Sequence, residues 1–306
     1  DAQGVLWCWG RTDLSLETQN YTEPAPVPLR KFGSNIQSFD ANQSNTCVVR
    51  DGTVYCMALG PQVAAIAGLP PGIRSVAVGT WLGCATTQSD VFCWGSPQWA
   101  EPKGSPHEIW QVIHDMKNAV HVGTLPQGIA QLAVSANAGC ALTQAHKVYC
   151  WGDTHSGEWG TGVQSRCEQV ACPEYDFRSL HEVTALPTPV TQLSAGAATF
   201  CAVGSDHSVW CWGSNNGQLV STRHEYEPKR IPVVDEPLPV QNVALGNDNA
   251  EVRLGNMHGC VKKLDGRIVC WGNNRYNQIS DGDCRYGSCP PTELSYDCSQ
   301  TASAPH

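Results

Sequence analysis

The sequence predicts an all-β fold, a β-propeller, and three observations carry that expectation. A five-residue unit ending in Cys-Trp-Gly recurs as Leu6-Trp-Cys-Trp-Gly10, Val91-Phe-Cys-Trp-Gly95, Val148-Tyr-Cys-Trp-Gly152, Val209-Trp-Cys-Trp-Gly213 and Ile268-Val-Cys-Trp-Gly272, with a decayed copy at Val54-Tyr-Cys-Met-Ala58. Five of the six copies have a partner cysteine just upstream: Cys47, Cys84, Cys140, Cys201 and Cys260. Ahead of each partner lies a short apolar run: Ile36-Gln-Ser-Phe39, Ile73-Arg-Ser-Val-Ala-Val78, Ile129-Ala-Gln-Leu-Ala-Val134, Val190-Thr-Gln-Leu193 and Val240-Gln-Asn-Val-Ala-Leu245, often with prolines before it. Each unit reads as an antiparallel sheet of three or four strands. One such sheet cannot bury both faces, and radial stacking of copies solves that problem. Six blades are expected, with seven as the alternative.

The hairpin inside each unit follows from register. In Cys47-Val-Val-Arg-Asp-Gly-Thr-Val-Tyr-Cys56, Asp51-Gly52 is a two-residue turn, because both residues tolerate positive φ. Folding about it sets Cys47 opposite Cys56 in a non-hydrogen-bonded pair, about 4.5 Å apart at Cα. That separation admits a disulfide. Cys84 and Cys93 share the spacing. Cys140/Cys150, Cys201/Cys211 and Cys260/Cys270 have one residue more, which a three-residue loop accommodates, with Gly266 at its left-handed position. Zinc ligation is the competing reading, but structural zinc uses Cys pairs two to four residues apart, and these are wider. The tryptophan of each unit is expected to pack in the core or between blades.

These residues carry a resemblance. The Val-Trp-Cys-Trp-Gly unit followed by Ser214-Asn-Asn-Gly-Gln-Leu219, with a Gly-x-x-x-x-Cys-Ala element upstream, resembles the repeat of the regulator-of-chromosome-condensation family. The resemblance implies a propeller, usually of seven blades. The paired cysteines resemble its secreted, disulfide-bearing branch, found in bacterial surface proteins and plant crinkly-type receptor ectodomains. A secreted bacterial propeller that inhibits β-lactamases is similar by fold only, which does not transfer its function.

Taken in order, the chain opens with a single hairpin strand at its amino end, whose Cys8 lacks an upstream partner. Cysteine parity suggests that Cys298 bonds Cys8, so that strands from both termini close the ring. Residues 11–35 read as a polar connection and 57–72 as a minimal link. Residues 96–128, 153–188 and 273–297 read as insertions into a single domain spanning 1–306. Within the first, Ser105-Pro-His-Glu108 resembles a helix start, and Ile109, Val112, Ile113, Met116 and Val120 share one helical face, predicting a helix near 106–118. The second holds the close pair Cys167/Cys172, and the third Cys284/Cys289, each read as a stapled surface loop. Residues 247–256 read as an extended link between strands.

Composition narrows the function. Sixteen cysteines, an even number, point to disulfides and an oxidising compartment, hence a secreted, periplasmic or cell-surface location. Asp1 reads as the start of a mature chain or an ectodomain. Asn20-Tyr-Thr22 and Asn42-Gln-Ser44 match glycosylation sequons. A net charge of −9 with scattered Lys and Arg argues against nucleic-acid binding. No apolar run is long enough to span a membrane as a helix.

No nucleophile elbow, zincin motif or phosphate loop is present. Asp206-His207 reads as a hairpin tip, and Asp281-Gly-Asp283 provides too few oxygens for a calcium cage. No cofactor or metal is expected. The reading is therefore an extracellular, non-enzymatic module that binds a protein or peptide partner through loops on one face. Candidate contact residues are Trp99, Trp110, Trp159, Tyr175, Phe177, Tyr226, Tyr276, Arg285 and Tyr286, of types that dominate interface hot spots. A glycan-binding propeller is the alternative, and an enzyme with a carboxylate pair in the central channel the third reading.

Overall fold

A computed structural model describes residues 4–11, 22–28, 30–42, 45–57, 63–95, 118–154, 156–161, 179–215, 237–273 and 288–293. They form twenty-two strands in six antiparallel sheets. The first sheet pairs β1 (Trp7–Arg11) with β2 (Thr22–Pro28). The second runs, from its inner to its outer edge, β3 (Ile36–Ala41), β4 (Thr46–Arg50), β5 (Thr53–Met57) and β6 (Val63–Ala65). The third comprises β7 (Ser75–Val78), β8 (Leu82–Thr86), β9 (Asp90–Gly95) and β10 (Val120–Thr124). The fourth comprises β11 (Ile129–Val134), β12 (Ala138–Thr143), β13 (Val148–Gly152) and β14 (His181–Glu182). The fifth is β15 (Val190–Ala195), β16 (Thr199–Gly204), β17 (Val209–Ser214) and β18 (Pro237–Val243). The sixth is β19 (Asn249–Leu254), β20 (His258–Lys263), β21 (Ile268–Asn273) and β22 (Ser288–Glu293). Among the described residues the helical content is one 3-10 turn, Arg30–Phe32.

The cysteines meet in the expected register. All five hairpins form the cross-strand disulfide, Cys47–Cys56, Cys84–Cys93, Cys140–Cys150, Cys201–Cys211 and Cys260–Cys270, with Cα separations of 4.0–4.1 Å. Asp51 and Gly52 both take positive φ, as the two-residue turn requires. In the longer tips the left-handed position is held by Gly266 and also by His146 and His207. Each histidine has a second task. Its Nδ1 lies 2.8 Å (His146, to Val190) or 3.0 Å (His207, to Asn249) from a carbonyl of the next sheet's inner strand.

The sheets stack with one hand of contact. The face bearing each disulfide packs under the tryptophan face of the sheet that follows: Cys47 and Cys56 under Trp94, Cys84 and Cys93 under Trp151, Cys140 and Cys150 under Trp212, Cys201 and Cys211 under Trp271. Those four tryptophans are all but fully buried, so the repeat tryptophan is a packing residue. Trp151 Nε1 donates to Cys93 Sγ across the junction at 3.3 Å. The residue opposite the indole in the same hairpin is glycine in three sheets, at Gly83, Gly139 and Gly259. A Cβ on Gly139 would come within 2.4 Å of the Trp151 ring.

The inner strands are joined by side chains that imitate a backbone ladder. Gln131 donates Nε2 to the Leu193 carbonyl (2.7 Å) and accepts the Leu193 N–H at Oε1 (2.9 Å). Gln192 does the same to Val252, at 3.0 and 2.9 Å. Between the second and third sheets Ser38 and Asp40 take this role, accepting the N–H groups of Val76 (3.4 Å) and Val78 (2.8 Å).

Several expectations require correction. The run Val240-Gln-Asn-Val-Ala-Leu245 is not the inner strand of the last sheet. Its first part belongs to β18, the outer strand of the fifth sheet, and the inner strand is β19, inside the stretch read as a link. The inner-strand residue facing the first cysteine is seven positions earlier in every sheet (Asp40, Ala77, Ala133, Ser194 and Arg253), and Leu245 is too far upstream of Cys260 to meet that register. Residues 11–35 and 57–72 hold strands β2 and β6, and the three insertions contain the outer strands β10, β14 and β22. β1 pairs with β2 and β22 with β21, so among the described residues the two terminal strands share no sheet. The helix expected near 106–118 falls outside the described residues but for Asn118, a bend.

Because Gln192 satisfies two backbone groups of the neighbouring sheet, Gln192→Leu, similar in volume but without the amide, leaves the Val252 N–H and carbonyl unpaired. The expected cost is about 1–3 kcal/mol, read as a lower urea midpoint with an unchanged m-value.

Candidate functional site: the loop-bearing end of the sheets

Antiparallel pairing sends every third strand toward the same end of the molecule, and the connection to the outer strand begins there. Those connections span residues 12–21, 58–62, 96–119, 153–180, 215–236 and 274–287. At the opposite end the sheet-to-sheet links are short, none longer than the nine residues of 66–74. The longest connections between described strands therefore start from one end.

The described floor of that end is a collar made by the turns between first and second strands. Trp81 N–H donates to the Ala136 carbonyl (3.1 Å), and Ala136 N–H donates to the Ala197 carbonyl (2.7 Å), linking three sheets in succession. Asn42 Nδ2 donates to the Gly79 carbonyl, extending the collar to the second sheet. The amide of this sequon asparagine is thus engaged in the fold. Next to the collar, the start of the 153–180 connection is tucked in. Asp153, Thr154, Ser156 and Glu158 are buried. Asp153 N–H donates to the Asn137 carbonyl (3.1 Å), Glu158 Oε2 accepts the Ser156 N–H (2.8 Å), and Trp212 Nε1 donates to the Glu158 carbonyl (2.9 Å).

Of the candidate contact residues, Trp159 is described. It is half-buried, stacks on His181 with ring centroids 3.7 Å apart, and donates Nε1 to the Gly152 carbonyl at 3.1 Å. Its ring is committed to holding the connection against the fourth sheet. Trp99, Trp110, Tyr175, Phe177, Tyr226, Tyr276, Arg285 and Tyr286 lie outside the described residues, as do Cys167, Cys172, Cys284 and Cys298. Each of those aromatics, and Arg285, belongs to a connection that starts at this end. Cys8 and Cys289 are placed by backbone alone, in β1 and β22. A bond between Cys8 and Cys298 would not copy the hairpin staples. From the end of an outer strand to the next hairpin cysteine is 16 residues at its shortest (Thr124 to Cys140), whereas Glu293 to Cys298 is five, too few for an inner strand.

Two titrating groups lie near this end. Burial raises the Asp40 carboxyl above the ordinary aspartate value, against the pull of the Val78 and Ala41 N–H groups and of the Arg253 charge. Burial lowers the imidazole of His258. The carboxylates on the inner strands are Asp40 and Glu251; Asp40 is hydrogen-bonded to the backbone and Glu251 is paired with Arg253. Among the described residues no three His, Cys, Asp or Glu side chains converge as metal ligands, and no helix is long and apolar enough to cross a membrane.

Sheets packed about adjoining inner strands, stapled hairpin by hairpin and with their long connections starting from one end, define a disulfide-laced repeat β-propeller. The repeat itself has a name: the model of the regulator of chromosome condensation (RCC1) repeat matches residues 190–218 and 251–278, in the fifth and sixth sheets, and the fold is that of an RCC1-type β-propeller. Its fold matches yeast RCC1 (Prp20) in complex with Kap60, with a TM-score of 0.73 at 16% identity, covering 97% of this chain and 72% of that one. Human WBSCR16 gives a TM-score of 0.67 at 15% identity, covering 95% and 79%. In sequence the chain is 27% identical over 287 residues to a human protein described as probable E3 ubiquitin-protein ligase HERC6, covering 90% of this chain and 26% of that protein. Fission-yeast (Schizosaccharomyces pombe) protein pim1 is 28% identical over 163 residues, covering 52% and 28%. The chain thus spans about a quarter of the length of these curated relatives.

The depressed His258 makes an acid-side prediction. An imidazole that stays neutral in the fold but protonates when unfolded favours unfolding as pH falls below its ordinary value of 6.5. Thermal midpoints of wild type and His258→Gln, compared from about pH 7.5 down to about pH 5, should diverge, with the variant losing less. Parallel curves would exclude this histidine as a source of acid sensitivity.

Proposed function

We propose that the chain is an extracellular, non-enzymatic protein-binding module that engages a partner protein or peptide through the loops at the end where the third strands finish. The observation that carries this reading is the length asymmetry: connections of 96–119, 153–180 and 215–236 at one end, against links of nine residues or fewer at the other. Binding residues concentrate on loops held by a rigid scaffold, and five cystines with four buried tryptophans supply the rigidity. RCC1-type propellers serve in protein interactions, and the Prp20 structure with Kap60 is one such complex. The five disulfides fit an oxidising compartment, supporting a secreted, periplasmic or cell-surface location.

The pairs Cys167/Cys172 and Cys284/Cys289 are read as staples within two of the loops, which would lessen the ordering entropy lost on binding. Commitment of Trp159 to His181 removes one of the platforms that a glycan-binding reading would use. The pairing of Glu251 with Arg253 and the burial of Asp40 likewise weaken the case for a carboxylate pair in the channel.

Partner capture from the native cell surface, followed by titration of purified variants, tests the reading. Tyr175→Ala with Phe177→Ala, or Tyr276→Ala with Tyr286→Ala, should weaken binding by about tenfold or more. Lys147→Ala and Arg74→Ala, at the opposite end, should leave it unchanged. The reverse pattern would place the binding surface at the wrong end and refute the assignment.

A further inference from the structure

The five staples are not equivalent. Nine of the ten half-cystines are buried, whereas Cys260 is only half-buried. The first four disulfides each sit in an inter-sheet core beneath the next sheet's tryptophan.

The chemistry around the sixth sheet's staple also differs. The residue directly opposite the first cysteine is Asp40, Ala77, Ala133 or Ser194 in the other sheets, and Arg253 here. Two positions along the second strand, on the same face, the other sheets carry Val49, Thr86, Leu142 and Val203, all buried. Here the residue is Lys262, and it is exposed. Ile268, whose counterparts Val54, Val91, Val148 and Val209 are buried, is 43% exposed. The result is a staple with one buried and one half-buried cysteine and two exposed cations on the same face, one of them, Arg253, paired with Glu251.

We propose that Cys260–Cys270 is a thiol-exchange site, the hairpin staple that a small anionic thiol of the glutathione class opens first, through a mixed disulfide at Cys260. Exchange needs an attacking thiolate and access to one sulfur, and nearby Lys and Arg favour thiolate over thiol. The reagent thiolate attacks Cys260 Sγ. The S–S bond breaks with its electron pair on Cys270 Sγ, which takes a proton from water. A second reagent thiolate attacks the reagent sulfur of the mixed disulfide and releases Cys260 as a thiolate, which is protonated in turn. In sum the protein disulfide gains two electrons and two protons, and two reagent thiols become one disulfide. The opened hairpin is the one from which the 274–287 connection starts.

The test is timed reduction of the full native chain with glutathione, quenched by alkylation and read by peptide mapping. Peptides containing Cys260 and Cys270 should be labelled about tenfold or more ahead of those from the other four hairpins. Arg253→Gln with Lys262→Gln should slow that labelling several-fold with glutathione while leaving the rate with neutral mercaptoethanol unchanged. Equal or faster opening of any of the other four staples would overturn the site. A double variant that slowed both thiols alike, or neither, would overturn the role of the cations in selecting an anionic thiol.

Discussion

Everything in this molecule rests on one contact, the seat of an indole on the cystine of the preceding sheet. A flat four-stranded sheet has two faces to hide, and the repeat makes them complementary. One face presents a compact sulfur bridge with Val or Leu beside it; the other presents a tryptophan lying over glycine. Glycine at 83, 139 and 259 is what allows the ring to lie flat, since any Cβ there would meet the indole at 2.7 Å or less. Where the fifth sheet has Phe200 instead, the two rings stack with centroids 6.0 Å apart, so the same space is filled differently. Each cystine closes a loop of about ten residues, worth roughly 2–3 kcal/mol in the chain-entropy account. Each buried indole is worth on the order of 3–5 kcal/mol. The tryptophan seat is thus at least as important as the covalent bond that it covers.

The second constraint is at the inner edge. Inner strands of neighbouring sheets run side by side without a backbone ladder between them, so their facing N–H and C=O groups need other partners. Gln131 and Gln192 meet that need because a primary amide offers one donor and one acceptor in the same plane as a peptide group. Serine and aspartate, at Ser38 and Asp40, offer only the acceptor side to the next strand. The junction between the second and third sheets is accordingly held by two partial substitutes, the fourth-to-fifth junction by one complete one, and the fifth-to-sixth by a complete one with Ser194 Oγ accepting the Leu254 N–H beside it (3.0 Å). Hairpin tips add a third tie through His146 and His207. Three kinds of junction contact leave the sheets little freedom to slide, which is the property that a loop-presenting scaffold requires.

The hairpins were legible in the sequence because their register is local. Counting outward from Asp51-Gly52 is enough to bring Cys47 to Cys56; the same count serves Cys84 and Cys93, and one more loop residue serves the other three. The outer strands were not legible, for a physical reason. An edge strand needs a ladder on one side only and so tolerates proline. Three of them read Thr-Glu-Pro-Ala-Pro-Val-Pro, Pro-Leu-Pro-Val-Gln-Asn-Val and Ser-Cys-Pro-Pro-Thr-Glu, which look like turns or linkers. That disguise moved Val240 to the wrong sheet and hid β19, whose charged Asn-Ala-Glu-Val-Arg-Leu looks unlike its apolar counterparts. The seven-residue offset to the first cysteine was the available signal. At the candidate site, the sequence located the connections but not their shared end. Nor did it show that Trp159 would stack on His181, because that partner is twenty-two residues away in a strand of two residues.

Departures from a repeat are informative only where the repeat's reason is known. Val, Leu or Thr at the position two beyond the first cysteine is explained by the sheet that covers it. Lys262 at that position is exposed where its four counterparts are buried. Its counterpart lies across the first sheet, where Phe39 is 58% exposed although Val76, Leu193 and Val252, in the equivalent position, are buried. These two exposed positions belong to the sixth and second sheets, on either side of the two-stranded first sheet. Those sheets are near enough that the Arg253 charge acts on the Asp40 carboxyl. Lys262 and Phe39 thus depart from their buried counterparts in opposite ways, one cationic and one aromatic. The propeller is symmetric in its hairpins, and the departures from that symmetry gather in the sixth and second sheets, where Cys260 alone of the ten hairpin cysteines is not buried.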